Sequence, residues 1–183
     1  MSSAQRKFNA DRIVAFTAIL ISVCALVVSF YEVRIMRTQQ EASVWPYVLL
    51  GQNYNSEGFA MIAMNKGIGP AKIESLVLKV DGEPLDSLNQ LFVETVGAAH
   101  KFSYKNFSIN GINQTVLEPG YDKHLIRLQW MPDTYKFVDQ LERVEIEVIY
   151  SSILGECWSM TFERSPEPCE CPDNKDKKDQ FNF

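Results

Sequence analysis

The side chains best suited to chemistry stand near the C-terminal end of this 183-residue chain: Cys157, then Cys169 and Cys171 one residue apart, with Asp173 close behind. Three thiols so placed allow three chemistries. In an oxidising compartment Cys157 can pair with Cys169 or Cys171 and pin the tail to the last strand. Closing a loop of that size is worth about 3 kcal/mol in the chain-entropy account, and one thiol is left over. In a reducing compartment all three stay free. Three thiolates with Asp173 also make a zinc donor set, although paired zinc-binding cysteines are usually separated by two to four residues. A thiol-based redox or metal-binding site on Cys157, Cys169 and Cys171 is therefore the alternative to a chain without chemistry of its own.

A second distinctive string is Asn65-Lys66-Gly67-Ile68-Gly69-Pro70-Ala71. It lacks the Gly-Lys-Ser/Thr of a phosphate loop, and the next segment reads as a strand rather than a helix whose N-terminus would hold an anion. Turn chemistry explains it instead. Gly67 and Gly69 can accept positive φ, Pro70 fixes its own φ, and Asn65 can bond nearby backbone groups.

Catalysis finds little else to stand on. His100 and His124 are the two histidines, and neither has a partner at metal-ligand spacing. Neither a G-x-S-x-G elbow nor an H-E-x-x-H pair occurs. Glu145 and Glu147 alternate with apolar residues, as on the wet side of a strand. The expectation is a non-enzyme with no cofactor. Two N-x-S/T triplets, at Asn106 and Asn113, would accept glycans only in a eukaryotic secretory route.

These residues are positioned by a chain with two unlike parts. Residues 13–31, IVAFTAILISVCALVVSFY, carry no charge, Pro or Gly. As a helix this stretch is about 28 Å long, near the hydrocarbon thickness of a bilayer, and it is apolar on every face. A surface helix of a soluble protein would show one apolar stripe instead, and a buried core helix is a poorer fit to an uncharged run of this length next to the N-terminus. A cleaved signal peptide fits less well, because the run continues six residues past the weak site Val23-Cys24-Ala25. Cys24 lies in the middle of the apolar stretch and reads as a lipid-facing or packing residue. Arg6, Lys7 and Arg12 precede the span and Arg34 and Arg37 come after it, which favours a cytoplasmic N-terminus by one charge. The expected order is an N-terminal cytoplasmic tail (1–12), a transmembrane helix acting as signal anchor (13–31), a helical stalk (32–43), a β domain (44–163) and a disordered polar tail (164–183).

Beyond Pro46 the pattern changes to short apolar runs broken by Gly, Pro and Asn, the mark of a β-rich domain. Strands are predicted over residues 47–50, 59–65, 73–80, 102–109, 124–130, 144–150 and 158–162. In VEIEVIY, Val144, Ile146, Val148 and Tyr150 share one face. Two helical insertions are predicted. One has Leu88, Leu91, Phe92 and Val96 on one side, Asp86 or Ser87 as cap and Gly97 as terminator; the other spans residues 132–142 with Asp133 as cap. The fold class is thus mainly β, a sandwich behind one membrane helix. A net charge of −5, with basic residues concentrated beside the span, disfavours nucleic acid as a partner.

The order of apolar span, stalk, Trp45-Pro46, Asn65-x-Gly67-x-Gly69-Pro70-Ala71, Asp81-Gly82, Pro119-Gly120, Tyr150-Ser151-Ser152 and Gly155-Glu156-Cys157-Trp158 resembles a group of uncharacterised bacterial single-pass membrane proteins. The Asn-x-Gly turn and the later Pro-Gly turn are also similar to immunoglobulin-like adhesion modules of the CARDB type. The resemblance implies an immunoglobulin-like sandwich held at the bacterial inner membrane, and a fold and a place rather than an activity. The two helical insertions and the missing Cys…Trp…Cys core signature depart from true immunoglobulin domains. Lipid around the helix and a protein partner in a membrane complex are the expected contacts.

Overall fold

The computed structural model describes residues 2–103, 107–109, 115–162 and 164–172. Both N-x-S/T triplets, Asp173 and the tail from residue 173 fall wholly or partly outside them. The chain divides after Ala42 into two compact units.

The first unit carries helix α1, Ser2–Ser43, unbroken because no Gly or Pro interrupts it. Its stretch Ala10–Ser43 is long and apolar enough to cross a membrane, and none of its apolar window is buried. Phe16, Leu20, Ile21 and Phe30 each expose more than half of their surface, at 77%, 61%, 68% and 66%. The hydroxyl groups of Thr17 and Ser22, inside this stretch, are satisfied by the helix itself. Thr17 Oγ1 donates to the Ile13 carbonyl at 3.1 Å and Ser22 Oγ to that of Ala18 at 2.8 Å, so neither needs water. The expected stalk is a direct continuation of the same helix, which stops three residues before Pro46.

The second unit holds two antiparallel sheets. In one, β1 (Val48–Asn55), β2 (Gly58–Asn65), β7 (Asp122–Gln129) and β5 (Phe107–Ile109) lie in the order β1-β2-β7-β5. In the other, β10 (Glu167–Cys169), β9 (Cys157–Thr161), β8 (Val144–Ser151), β3 (Ala71–Val80) and β4 (Glu83–Pro84) succeed one another, and β6 (Val116–Leu117) pairs with the start of β3. Val48, Phe59, Met61 and Leu128 from the first sheet and Ile73, Leu78, Ile146 and Tyr150 from the second belong to one hydrophobic core. Burial of such side chains, at about 25 cal/mol per Å² of apolar surface, is the main force holding the unit together.

Strand β3 shows how the apolar pattern meets the core. Ala71 and Ile73 are buried at odd positions, whereas Leu76, Leu78 and Val80 are buried at even ones. A register shift against β8 between Ile73 and Ser75 reconciles the two sets, since one extra residue returns the apolar side chains to the inner face.

Helix α2 (Leu88–Val96) lies where the apolar spacing predicts. Ser87 is its cap, with Oγ accepting from the Gln90 amide at 3.3 Å, and Gly97 closes it at φ 108°. Helix α3 (Pro132–Asp139) corrects one expectation: its N-cap is Met131, and Asp133 lies within the first turn. The Asp133 carboxylate instead accepts from the Lys101 amide at 2.8 Å, tying the loop after α2 to α3. Among the described residues of 102–109, only Phe107–Ile109 is strand, and Phe102 and Ser103 lie outside it.

The tail also departs from expectation. Residues 164–183 read as disordered, yet Glu167–Cys169 pairs with β9. Pro168 is tolerated there because β10 is an edge strand, where a missing amide hydrogen costs no ladder bond.

Candidate functional site

Two local assemblies gather the residues singled out in the sequence. The first is the Asn65 turn. Asn65 ends β2 with its side chain fully buried. Its Oδ1 accepts from the Tyr47 amide at 3.2 Å and the Gly67 amide at 3.0 Å, while Nδ2 donates to the carbonyls of Gly69 at 2.9 Å and Leu117 at 3.0 Å. Two acceptor sites and two donors exhaust what a carboxamide can do. Its backbone adds two more bonds, from its amide to the Tyr121 carbonyl and from the Gly120 amide to its own carbonyl. One side chain therefore ties together the lead-in to β1, the β2–β3 turn and strand β6.

Gly67 and Gly69 serve this turn for a reason other than the one their residue type suggests. Neither has positive φ. A Cβ on Gly69 would collide with the Val44 carbonyl, and one on Gly67 with the Tyr47 amide and the Trp45 carbonyl. The segment 44–47 passes directly over the turn, held by bonds from the Lys66 amide to the Tyr47 carbonyl at 2.8 Å and from the Ile68 and Gly69 amides to the Trp45 carbonyl at 3.1 Å. Close backbone approach, not backbone conformation, demands glycine at both positions. Trp45 packs edge-on against Tyr47 at 5.4 Å and keeps 47% of its surface exposed.

The second assembly is the cysteine cluster. Cys157 opens β9 and is bonded to Cys171 across a Cα–Cα distance of 5.3 Å, inside the usual range for a disulfide. Cys169 is free and half-buried, and in the β9–β10 pairing it stands directly opposite Cys157. Burial pushes the Cys169 thiol above its ordinary pKa, and the nearby Glu147 carboxylate adds to the shift. Glu147 is itself held by Lys79 Nζ at 3.0 Å and by the Ser159 hydroxyl at 3.2 Å. A recess opens beside the three sulfurs, with Trp158 and Pro168 in its wall. Sequence alone does not reveal Glu147 as a neighbour of Cys169, because only the β8–β9–β10 order brings them close; the tail strand is the missing signal.

The remaining candidates lie apart. His100 packs beside the Phe92–Phe102 pair, with Nε2 at 3.2 Å from Asn89 Oδ1. His124 meets the Arg127 guanidinium at 3.1 Å on the other sheet. Among the described residues no three of His, Cys, Asp and Glu are grouped to hold a metal ion. A wide groove includes Lys79, Glu145, Glu147, Ser159, Thr161 and Arg164. Its central polar groups, Lys79, Glu147 and Ser159, are already bonded to one another. Behind the sheet, Tyr150 stacks on Trp158 at 5.7 Å, and burial raises its phenol to about 12 although the Val48 backbone partly offsets the shift. Tyr150 Oη makes no hydrogen bond of good geometry among the described residues.

Comparison with known proteins finds no matching family model, no matching curated protein and no matching solved structure.

Proposed function

We propose that this chain is a single-pass membrane protein whose N-terminus is cytoplasmic and whose second unit is an immunoglobulin-like β-sandwich of the CARDB type. The sandwich stands outside the cytoplasm and contacts another protein of a membrane complex without catalysing a reaction. The observation that carries the reading is α1: its apolar window surrounds the helix and none of it is buried, and exposing so much hydrocarbon to water is unfavourable. Two antiparallel sheets around a common core support the sandwich. The basic residues Arg6, Lys7 and Arg12 ahead of the span support the orientation. The fully bonded Asn65 turn supports a structural rather than a ligand-binding role for the most distinctive motif.

Crosslinking in intact membranes, then detergent extraction and purification through the full chain, tests the partner. The expected product is one stoichiometric protein crosslinked through residues of the second unit. Recovery of no such partner, together with hydrolytic or redox turnover by the purified chain, contradicts the reading. Reporter fusions at either end test the orientation.

A further inference from the structure

We propose that Cys169 is the attacking thiol of an intramolecular disulfide exchange, in which the bond to Cys157 passes from Cys171 to Cys169 and Cys171 is released. Three observations meet here. The register pairs Cys169 with Cys157 across β10 and β9, so both side chains leave the same face of the sheet. Directly opposed residues in such a pair have Cα atoms about 4.5–5.5 Å apart, within the range a disulfide spans. Cys157 thus has two partners within bonding reach, Cys171 at a Cα–Cα distance of 5.3 Å and Cys169 opposite, and can hold one at a time. Cys157 is itself only 5% exposed, which hinders a thiol arriving from solvent but not one already seated on its own sheet face. Finally, all three cysteines line one open recess, so the sulfurs can change partners at the surface without unpacking the core.

The step balances within the chain. Cys169 gives its proton to water, and the thiolate forms a bond to Cys157 Sγ. The Cys157–Cys171 bond breaks with its electron pair leaving on Cys171 Sγ, which then takes a proton from water. One disulfide and one thiol stand on each side, so neither oxidant nor reductant is consumed. Burial and the Glu147 carboxylate keep Cys169 protonated near neutrality, which makes the exchange slow there and faster with base. The exchange requires neither a membrane nor a partner, so its outcome is separate from that of the anchored-module reading.

The test uses the full chain in detergent, on a Cys24→Ser background that removes the thiol of α1. Samples held between pH 7 and 9 are quenched with acid, alkylated and mapped by peptide mass. The expected result is a Cys157–Cys169 bridge with alkylated Cys171, its rate of appearance rising roughly tenfold per pH unit. Glu147→Gln raises that rate at fixed pH, and Cys169→Ser abolishes it. In oxidising glutathione buffer Cys171→Ser joins Cys157 to Cys169. Retention of the Cys157–Cys171 bridge alone at every pH overturns the proposal. So does a folded Cys171→Ser chain in which Cys157 and Cys169 both remain free.

Discussion

Asn65→Ala removes a fully buried carboxamide that makes four hydrogen bonds to backbone groups from three different places in the chain. Each such bond contributes about 0.5–1.5 kcal/mol net, and a buried group left without a partner costs about 1–3 kcal/mol. The Tyr47 and Gly67 amides and the Gly69 and Leu117 carbonyls all lose their partner, but the turn is near the surface and water can reach some of them. A loss of about 4 kcal/mol is the expected sum, a large share of the roughly 5–15 kcal/mol that a domain commands. At about 2–4 °C per kcal/mol for a chain of this size, the thermal midpoint falls by about 8–16 °C. Near-ultraviolet circular dichroism of the detergent-solubilised full chain, reporting on Trp45, Trp130 and Trp158, tracks the transition. Asn65→Asp sharpens the test, because it keeps the acceptor but turns the donor into an oxygen facing two carbonyls. It is expected to be at least as destabilising as alanine. A midpoint within about 2 °C of the parent for either variant refutes the assignment of Asn65 as the tie between the start of β1, the turn and β6.

Gly69→Ala is expected to cost about 1–3 kcal/mol, because its methyl group meets the Val44 carbonyl and the backbone must yield; urea unfolding monitored by Trp fluorescence measures it. Tyr150→Phe is expected to be neutral or to stabilise by up to about 1 kcal/mol, since it deletes a buried hydroxyl without a well-formed hydrogen bond; the same unfolding curves decide it. The folded phenol titrates at about 12 against 10.0 ordinarily, so its contribution to stability is intact below pH 10 and is lost as pH rises toward 12; alkaline unfolding of Tyr150→Phe should lack that component. The Asp133 carboxyl is held below its ordinary value, chiefly by the Lys101 amide and then by Lys136. Its stabilisation is therefore present above about pH 4 and lost as pH falls through the lowered value. Urea midpoints of the parent should decline more steeply than those of Asp133→Asn over that acid range.

What the sequence discloses depends on whether a local pattern carries the information. Residues 13–31 are legible as part of one long apolar helix because an uncharged run without Gly or Pro carries that information locally, and α2 because Ser87, the Leu88–Leu91–Phe92 spacing and Gly97 mark a start, a face and an end within about ten residues. In β8 the alternation of Val144, Ile146, Val148 and Tyr150 gives the inner face directly. Gly67 and Gly69 have the type and spacing of turn residues, yet their requirement comes from the chain segment 44–47 crossing above them, a contact that no spacing within the turn encodes. Asp133 has the type and position of a cap, but a distant amide, that of Lys101, claims its carboxylate. The strand Glu167–Cys169 hides in a Pro-rich, charged stretch because an edge strand tied by a neighbouring disulfide needs little apolar content of its own. The cysteine cluster is visible as a group, whereas the choice between Cys169 and Cys171 as the partner of Cys157 is carried by no spacing in the sequence, and the strand register, which sets Cys169 opposite Cys157, does not make it either.

Membrane anchoring is tested most directly by the fate of α1 in cells. Membranes are washed with alkaline carbonate and the chain in each fraction is identified by mass and N-terminal sequencing. An anchor that spans the bilayer keeps the chain in the washed membranes with residues 13–31 attached. Recovery in the soluble fraction, either without those residues or with them intact, would contradict it.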